Sequence, residues 1–441
     1  MGEARGKGGA GIYLGIESEA LRITGDGRLS RSPHPFPKWM EQYSMDFSQS
    51  QLEVVTAPSK GAQQAADELK RHFSYALDYL NGETLWPFSM PPELPPEEEI
   101  PIAYAAGPLE DRRKFLYRKG LAARYGKYRQ MICGVHINLS AGPELLYRLL
   151  GSGADLSAAD GLYLKAARGI LEYLDVLILL TGASPVAAPG FPGVAPGRPA
   201  VSLRNSGAGY AGRNYMRYFD VSGPSAYWKA LKVGLDTVSQ EFHRIKLVSG
   251  GDVNQLSDRV FQSEKEFYAP LRLKRSTGPY GNPVPYLEAR IFDRDPFVPE
   301  GVSGPVLHFM QLLFYRALTG KENAGFDLRR SMEDRGTAAD LSPDDIIGRK
   351  SFTAKKLFDK GRRLIEALEP FADDFDGGLG KGVFHQSLSS MAEMLDRPDA
   401  LPSVRIYREF MDADCSWSEY GAVLAATVMK GEVHELHYAG V

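Results

Sequence analysis

Cysteine is nearly absent: 441 residues hold two, Cys133 and Cys415. Two thiols exclude a disulfide framework and a cysteine-built zinc site, and they fit a reducing cytosol. A basic surplus is missing too. Against 52 Lys and Arg stand 55 Asp and Glu, a formal net charge of −3, which argues against a nucleic-acid binder. Long hydrophobic runs are also lacking. The most apolar stretch, around Leu174-Asp-Val-Leu-Ile-Leu-Leu180, is too short and too closely flanked by Glu172 and Asp175 to span a bilayer. The first ten residues have no apolar core of a secretory signal. The expectation is a cytoplasmic protein that engages neither membrane nor nucleic acid.

Several catalytic signatures are missing as well. No Gly-x-Ser-x-Gly elbow occurs, and neither cysteine has a nucleophile context. Gly6-Lys-Gly-Gly-Ala-Gly11 matches a dinucleotide pattern in letters, but no strand precedes it and a strand follows, so it reads as a flexible arm. Gly377-Gly-Leu-Gly-Lys-Gly382 lacks the Walker spacing and the hydroxyl after Lys, and reads as a turn between helices.

What remains is a chain with 43% hydrophobic and 24% charged residues, ordinary for a globular protein. Helical periodicity covers Ala62–Asn81, Ala158–Leu180, Ala226–Leu247 and Gly304–Leu318. Strand-like segments are Gly11–Ile23, Gln51–Thr56, Met131–Ser140 and Val284–Phe292. Gly182–Pro224 is a long Gly/Pro/Ser-rich excursion of the kind that is functional or disordered, and Glu322–Asp345 reads as a polar connector. Scattered strands with helices between them predict an α+β fold around a mostly antiparallel sheet. We expect a single domain over residues 1–441, with an N-terminal arm (1–10) and a mainly helical C-terminal region (about 350–441).

Four segments set polar side chains where a buried strand face would otherwise be apolar. On a strand, alternate residues share a face, so Glu17 and Glu19 point the same way, where two carboxylates repel unless a cation lies between them. Asp46 sits at a turn before Glu53 in an apolar run; His136 and Asn138 share one face, and Glu288 and Arg290 share another. Charges inside apolar strands are rarely buried without partners, and one shared polar cup is the economical explanation. Glu17, Glu19, Asp46, Glu53, His136 and Glu288 form an oxygen-rich donor set with one nitrogen, suited to Mg²⁺ or Mn²⁺. So many carboxylates imply more than one ion, as where metals bridge nucleotide phosphates. The Arg290 fork matches phosphate or carboxylate oxygens. Metal-dependent phosphoryl chemistry on a small acidic substrate follows.

The segments that carry these residues are Gly15-Ile-Glu-Ser-Glu-Ala-Leu-Arg22, Asp46-Phe-Ser-Gln-Ser-Gln-Leu-Glu53, Leu85-Trp-Pro-Phe-Ser-Met-Pro91, Leu116-Tyr-Arg-Lys-Gly-Leu-Ala-Ala-Arg-Tyr-Gly126 and Gly134-Val-His-Ile-Asn-Leu-Ser140. Gly182-Ala-Ser-Pro185, Ser202-Leu-Arg204 with Tyr210, Glu266-Phe-Tyr-Ala-Pro-Leu-Arg-Leu-Lys-Arg275 and Tyr286-Leu-Glu-Ala-Arg290 follow in order. In this order they resemble the proteobacterial-type glutamate–cysteine ligase family over about residues 11–320. The resemblance implies a glutamine-synthetase-like fold whose antiparallel sheet curves into a cup flanked by helices. It implies ATP-dependent joining of the glutamate γ-carboxylate to the cysteine amine, the first step of glutathione synthesis. By the same resemblance Glu17, Glu19, Asp46, Glu53, His136 and Glu288 are metal ligands and Arg290 stabilises the transferring phosphate. Arg204 and Asn138 would hold glutamate, while Tyr117, Gln130, Tyr210, Tyr268 and Phe47 shape the amine site. Gln49, where the family usually has an acid, and Ile137, in place of an aromatic, depart from the pattern. They point to a related ligase for a different amine as the alternative.

Overall fold

In a computed structural model of the chain, the described residues are 11–104, 109–209, 219–233, 266, 268–277, 283–349, 351–378 and 380–429. The apolar alternation at the N-terminus forms a 13-residue strand, β1 (Ile12–Thr24). It is followed by β2 (Tyr43–Met45), β3 (Gln51–Val55), β4 (Ser59–Lys60), β5 (Glu83–Leu85), β6 (Val135–Ala141), β7 (Leu271–Thr277) and β8 (Pro283–Phe292). The sheet runs β2-β3-β1-β6-β8-β7, and β4 and β5 also pair with β1. Every strand pairing among the described residues is antiparallel. One strand thus touches four others, and such a sheet must curl.

One face of the sheet is apolar. Ile12, Leu14 and Ile16 of β1, Val135, Ile137 and Leu139 of β6, and Leu287 and Ala289 of β8 enter the main core. Helices cover this face: α1 (Ala62–Tyr79) buries Ala65, Leu69, Phe73 and Ala76 at helical spacing. Two further helices, α2 (Leu109–Tyr125) and α3 (Pro143–Leu150), precede α4 (Leu156–Leu171) and α5 (Leu174–Thr181). The chain continues through α6 (Gly304–Thr319), α7 (Leu328–Asp340), α8 (Pro343–Gly348), α9 (Phe352–Phe375), α10 (Val383–Asp396), α11 (Pro402–Asp412) and α12 (Trp417–Met429). None of these helices is long and apolar enough to cross a membrane.

Several expected boundaries move. The helix expected over Ala158–Leu180 breaks at Tyr173, whose backbone (φ −113°, ψ 19°) leaves the helical region; no Gly or Pro marks the break. The strand expected from Met131 begins at Val135, because Tyr128–Met131 closes a 3₁₀ turn first. Glu322–Asp345 is no mere connector. It holds α7, capped by the Asp327 carboxylate on the Arg330 N–H, and the start of α8, capped by Ser342. Residues 224–233 are helical; the rest of the expected Ala226–Leu247 helix lies outside the described residues. The strand β7 went unforeseen because Arg272, Lys274 and Arg275 hide its apolar partners. Its pairing with β8 sets Arg272 opposite Glu288, which stabilises charge on that face.

Candidate active site

Directly opposed residues of an antiparallel pair share a face, and the register of this sheet lines up one polar band. Glu19 of β1 lies opposite Glu53 of β3, and Glu17 lies opposite His136 of β6. Asn138 of β6 faces Glu288 of β8, which faces Arg272 of β7. Between Val135 and Ile137 the β6–β8 register shifts, the mark of a bulge. A bulge bends a strand and re-aims side chains, and here both Glu288 and Arg290 reach the same space.

That space is a cavity of about 220 Å³. Its walls include Glu17, Glu19, Asp46, Phe47, Glu53, Tyr117, Gln130, His136, Arg204, Tyr268, Glu288 and Arg290. Two expected residues are not among them. Asn138 sits behind the wall, where its Nδ2 donates to Glu17 Oε1 at 2.8 Å. Its Oδ1 is buried with no partner among the described residues. Tyr210 lies outside the described residues. Gln49 and Ile137 also stand apart from the cavity. Gln49 accepts from the His34 N–H and donates to the Tyr104 carbonyl, and Ile137 is fully buried in the core on the opposite face.

The acids are not alike. Burial pushes the Glu17 carboxyl up, but the hydrogen bond from His136 Nδ1 (3.2 Å) and its charge outweigh this and hold it at about 2. Burial also opposes ionisation of Glu288, yet Arg290, Arg272 and Lys274 keep it well below the usual carboxylate range. Its contacts are short: Oε2 accepts from Arg272 Nε at 2.6 Å, and Oε1 lies 3.1 Å from Arg290 Nη1. Glu19 goes the other way. Burial, followed by the charges of Asp46 and Glu53, raises it well above the ordinary value. Burial and the nearby Arg290 lower His136 against the attraction of Glu17 and Glu288.

Donor chemistry allows a direct test of fit to a divalent ion. Oxygen or nitrogen ligand atoms of Glu17, His136 and Glu288 lie within 4.8 Å of one another, so one hard cation could touch all three. On the other side, Glu19, Asp46 and Glu53 crowd together until Glu19 resists ionisation, a conflict a second cation would relieve. Oxygen donors with one imidazole suit Mg²⁺ or Mn²⁺.

Two buried groups position this face. The Asp293 carboxylate accepts from Ala183 N (2.8 Å) and Ser184 Oγ (2.6 Å), and Oδ1 accepts from Asn205 Nδ2 (3.3 Å). It thereby orders the turn that presents Arg204, whose Nη2 donates to the Arg290 carbonyl at 2.9 Å. Gly134 leaves the room for this arginine: a Cβ there would stand 2.1 Å from Arg204 Nη2. Its N–H donates to Glu19 Oε2 at 3.0 Å.

Sequence reasoning passed over Arg118, Arg272, Lys274, Asn205 and Arg335, which also line the cavity. Arg272 pairs directly with Glu288, and Lys274, two residues on, shares its face opposite Tyr286; that period was a usable signal. Arg118, one residue after Tyr117, donates to the Met45 and Ala103 carbonyls. Nothing in its local sequence marks Arg335.

A curled antiparallel sheet with an acid-lined, cation-rimmed cup defines the glutamine-synthetase-like class of fold. The family model described as glutamate–cysteine ligase matches residues 7–334. A glutamate–cysteine ligase of Clostridium acetobutylicum is 32% identical over 456 residues, covering 92% of this chain and 94% of that protein. One from Pseudomonas aeruginosa is 35% identical over 338 residues, covering 68% and 63%. The fold is shared with a crystal structure of glutamate–cysteine ligase from Francisella tularensis in complex with AMP. Its TM-score is 0.79 at 24% identity, covering 98% of this chain and 91% of that one. A bifunctional glutathione synthetase from Pasteurella multocida matches with a TM-score of 0.74 at 24% identity, over 96% of this chain and 52% of that one. The chain belongs to the glutamate–cysteine ligase family.

Proposed function

We propose that the chain joins the γ-carboxylate of glutamate to the amino group of cysteine at the expense of ATP, through a γ-glutamyl phosphate, the first step of glutathione synthesis. The observation that carries this is the single band of carboxylates, His136 and Arg290 in one cavity. A carboxylate is a poor acyl donor. Its oxygen attacks the terminal phosphorus of ATP, ADP leaves, and the amine then attacks the activated carbonyl as phosphate departs.

Glu17, His136 and Glu288 would hold one Mg²⁺ or Mn²⁺, and Glu19, Asp46 and Glu53 would hold at least one more. When bound, such ions draw charge from the phosphate oxygens. Arg290 stays charged, because the attraction of Glu288, Glu19 and Glu17 outweighs the opposing burial. It offsets charge that builds on the transferring phosphoryl group. Arg204, ordered by Asp293, would hold glutamate. Asn138 would act through Glu17, fixing the carboxylate that it touches. Phe47, Tyr117, Gln130 and Tyr268 would shape the amine side and keep water from an intermediate that hydrolyses. Tyr210 is proposed for the same side. The two free thiols, Cys133 and Cys415, fit a cytosolic site of action.

Of the departures behind the different-amine alternative, which also include the Gly/Pro-rich Gly182–Gly223 loop, Gln49 and Ile137 both stand away from the cavity and no longer favour it. The test is ADP release by purified protein with Mg²⁺, ATP and glutamate, screened against cysteine and a panel of other amines. Turnover fastest with cysteine and lost in Glu53→Gln is expected. Turnover with another amine only, or with none, overturns the assignment.

A further inference from the structure

Most of the cavity's cations have partners. Arg272, Lys274 and Arg290 all contact Glu288, and Arg204 approaches Asp293 at 3.9 Å. Arg118 donates to two carbonyls. Arg335 differs. It is 5% exposed, its side chain lines the cavity, and its Nε is buried with no hydrogen-bond partner among the described residues. No carboxylate of the described residues pairs with its guanidinium.

Tertiary structure places it there. The buried face of α7 is Ser331, Arg335, Ala338 and Ala339. One turn beyond Arg335, the Ala339 carbonyl accepts from Ser202 N at 3.1 Å, and the Leu341 carbonyl accepts from Val201 N at 2.8 Å. The end of α7 is therefore stitched to the segment that carries Arg204, and Arg335 joins Arg204 on one wall. A buried guanidinium without a counter-charge is costly, and a planar fork facing a polar cavity suits a carboxylate.

We propose that Arg335 is a substrate-binding residue that receives the α-carboxylate of an amino-acid substrate, beside Arg204. The inference rests on the ligase reading and adds a residue just past the matched family region, which ends at 334. Glutamate and cysteine each bring an α-carboxylate. The γ-carboxylate of glutamate, as the reacting group, belongs with Arg290 and the acidic band.

Full-length Arg335→Gln and Arg335→Lys are compared with the parent protein for the KM of glutamate, cysteine and ATP. The decarboxylated analogues 4-aminobutyrate and cysteamine are measured alongside as substrates or inhibitors. Losing one charge-assisted fork raises the KM of one amino acid by about 10- to 100-fold, with the KM of ATP unchanged. A rise for glutamate or for cysteine identifies which carboxylate is held. Arg335→Gln also loses the preference for that amino acid over its analogue, and Arg335→Lys regains part of it. Unchanged KM values for both amino acids, or equal loss for an amino acid and its analogue, overturn the proposal. A parent protein that turns over neither amino acid sinks the ligase reading instead. Calorimetric titration of glutamate and cysteine into parent and variant then decides Arg335 alone: weaker binding to the variant upholds it, equal binding refutes it. Should Arg335→Gln not fold, the analogue preference of Arg335→Lys is the deciding measurement.

Discussion

Arg294 donates from Nη1 to the Glu19 carbonyl at 2.9 Å, beneath the strand whose Glu19 side chain faces the acidic cup. The same nitrogen donates to Ser18 Oγ at 2.8 Å, and Nη2 donates to the Pro299 carbonyl at 3.0 Å. Fully buried, Arg294 has its pKa pushed down to about 10 by desolvation, against the attraction of neighbouring acidic groups. It ties the end of β8 to the backbone of Glu17-Ser-Glu19 from the side opposite the cavity.

Arg294→Met leaves those acceptors unpaired in the core and is expected to destabilise the protein by about 3–5 kcal/mol. The stretch of β1 that carries Glu17 and Glu19, the proposed metal ligands, loses its anchor, so the Mg²⁺ concentration needed for half-activation is expected to rise. Urea unfolding and a Mg²⁺ activation curve measure the two effects. An unaltered activation curve would show that β1 holds its place without this arginine.

Gly134→Ala tests the close approach of Arg204. An added Cβ would lie 2.1–2.5 Å from the guanidinium, so Arg204 must move while the Glu19 hydrogen bond to the Gly134 N–H can remain. Displacement by about 1 Å at a substrate clamp costs on the order of 10²-fold in kcat/KM. Steady-state kinetics should place most of the loss on glutamate. A variant as active as its parent would remove Arg204 from the glutamate site.

Removing divalent ions exposes the conflict at Glu19. Its carboxyl is raised in the folded state by burial and by Asp46 and Glu53, so the fold binds that proton more tightly than the unfolded chain does. This contribution is present below the unfolded carboxyl pKa and is lost as pH rises through the folded value. The ion-free protein should therefore lose thermal stability as pH climbs above about 5. Mg²⁺ should restore more of it at the higher pH and release protons on binding. Glu17, held at about 2 by His136 against the opposing burial, acts in the opposite sense at the acid end: its contribution is lost as pH falls from the ordinary carboxyl range through 2. Scanning calorimetry with chelator and with Mg²⁺, on parent and Glu19→Gln, checks both slopes. A Mg²⁺ gain independent of pH in the parent would contradict the account.

Gln49→Glu should leave the choice of amine unchanged, because Gln49 serves His34 and Tyr104 away from the cavity. Losing the donor to the Tyr104 carbonyl costs about 1 kcal/mol of stability. An altered ranking of amines in the ADP-release assay would place Gln49 in the site after all.

Glu17, Glu19, His136, Glu288 and Arg290 were legible because a strand's period of two separates polar from apolar neighbours: Ile16, Ile137 and Ala289 reach the core while these five line the cup. Arg272 and Lys274 escaped because β7 carries too much charge to look like a strand. The break at Tyr173 escaped because no Gly or Pro marks it and the apolar residues of the two helices run on across Glu172 and Asp175 without a change of period. Asn138 shares the face of His136, and the structure adds that its Nδ2 donates to Glu17.

By itself, the sequence determined which side chains share a strand face and which acids are available to a metal, since alternation is a property of the local backbone. Only the tertiary structure decided which of them meet. Register sets Glu19 against Glu53 and Glu17 against His136, and a slip of one residue would have turned each partner toward the core. Arg335 shows the limit most plainly. It reaches the cavity through backbone bonds between α7 and the segment before Arg204, a contact across more than 100 residues of chain that no local pattern encodes.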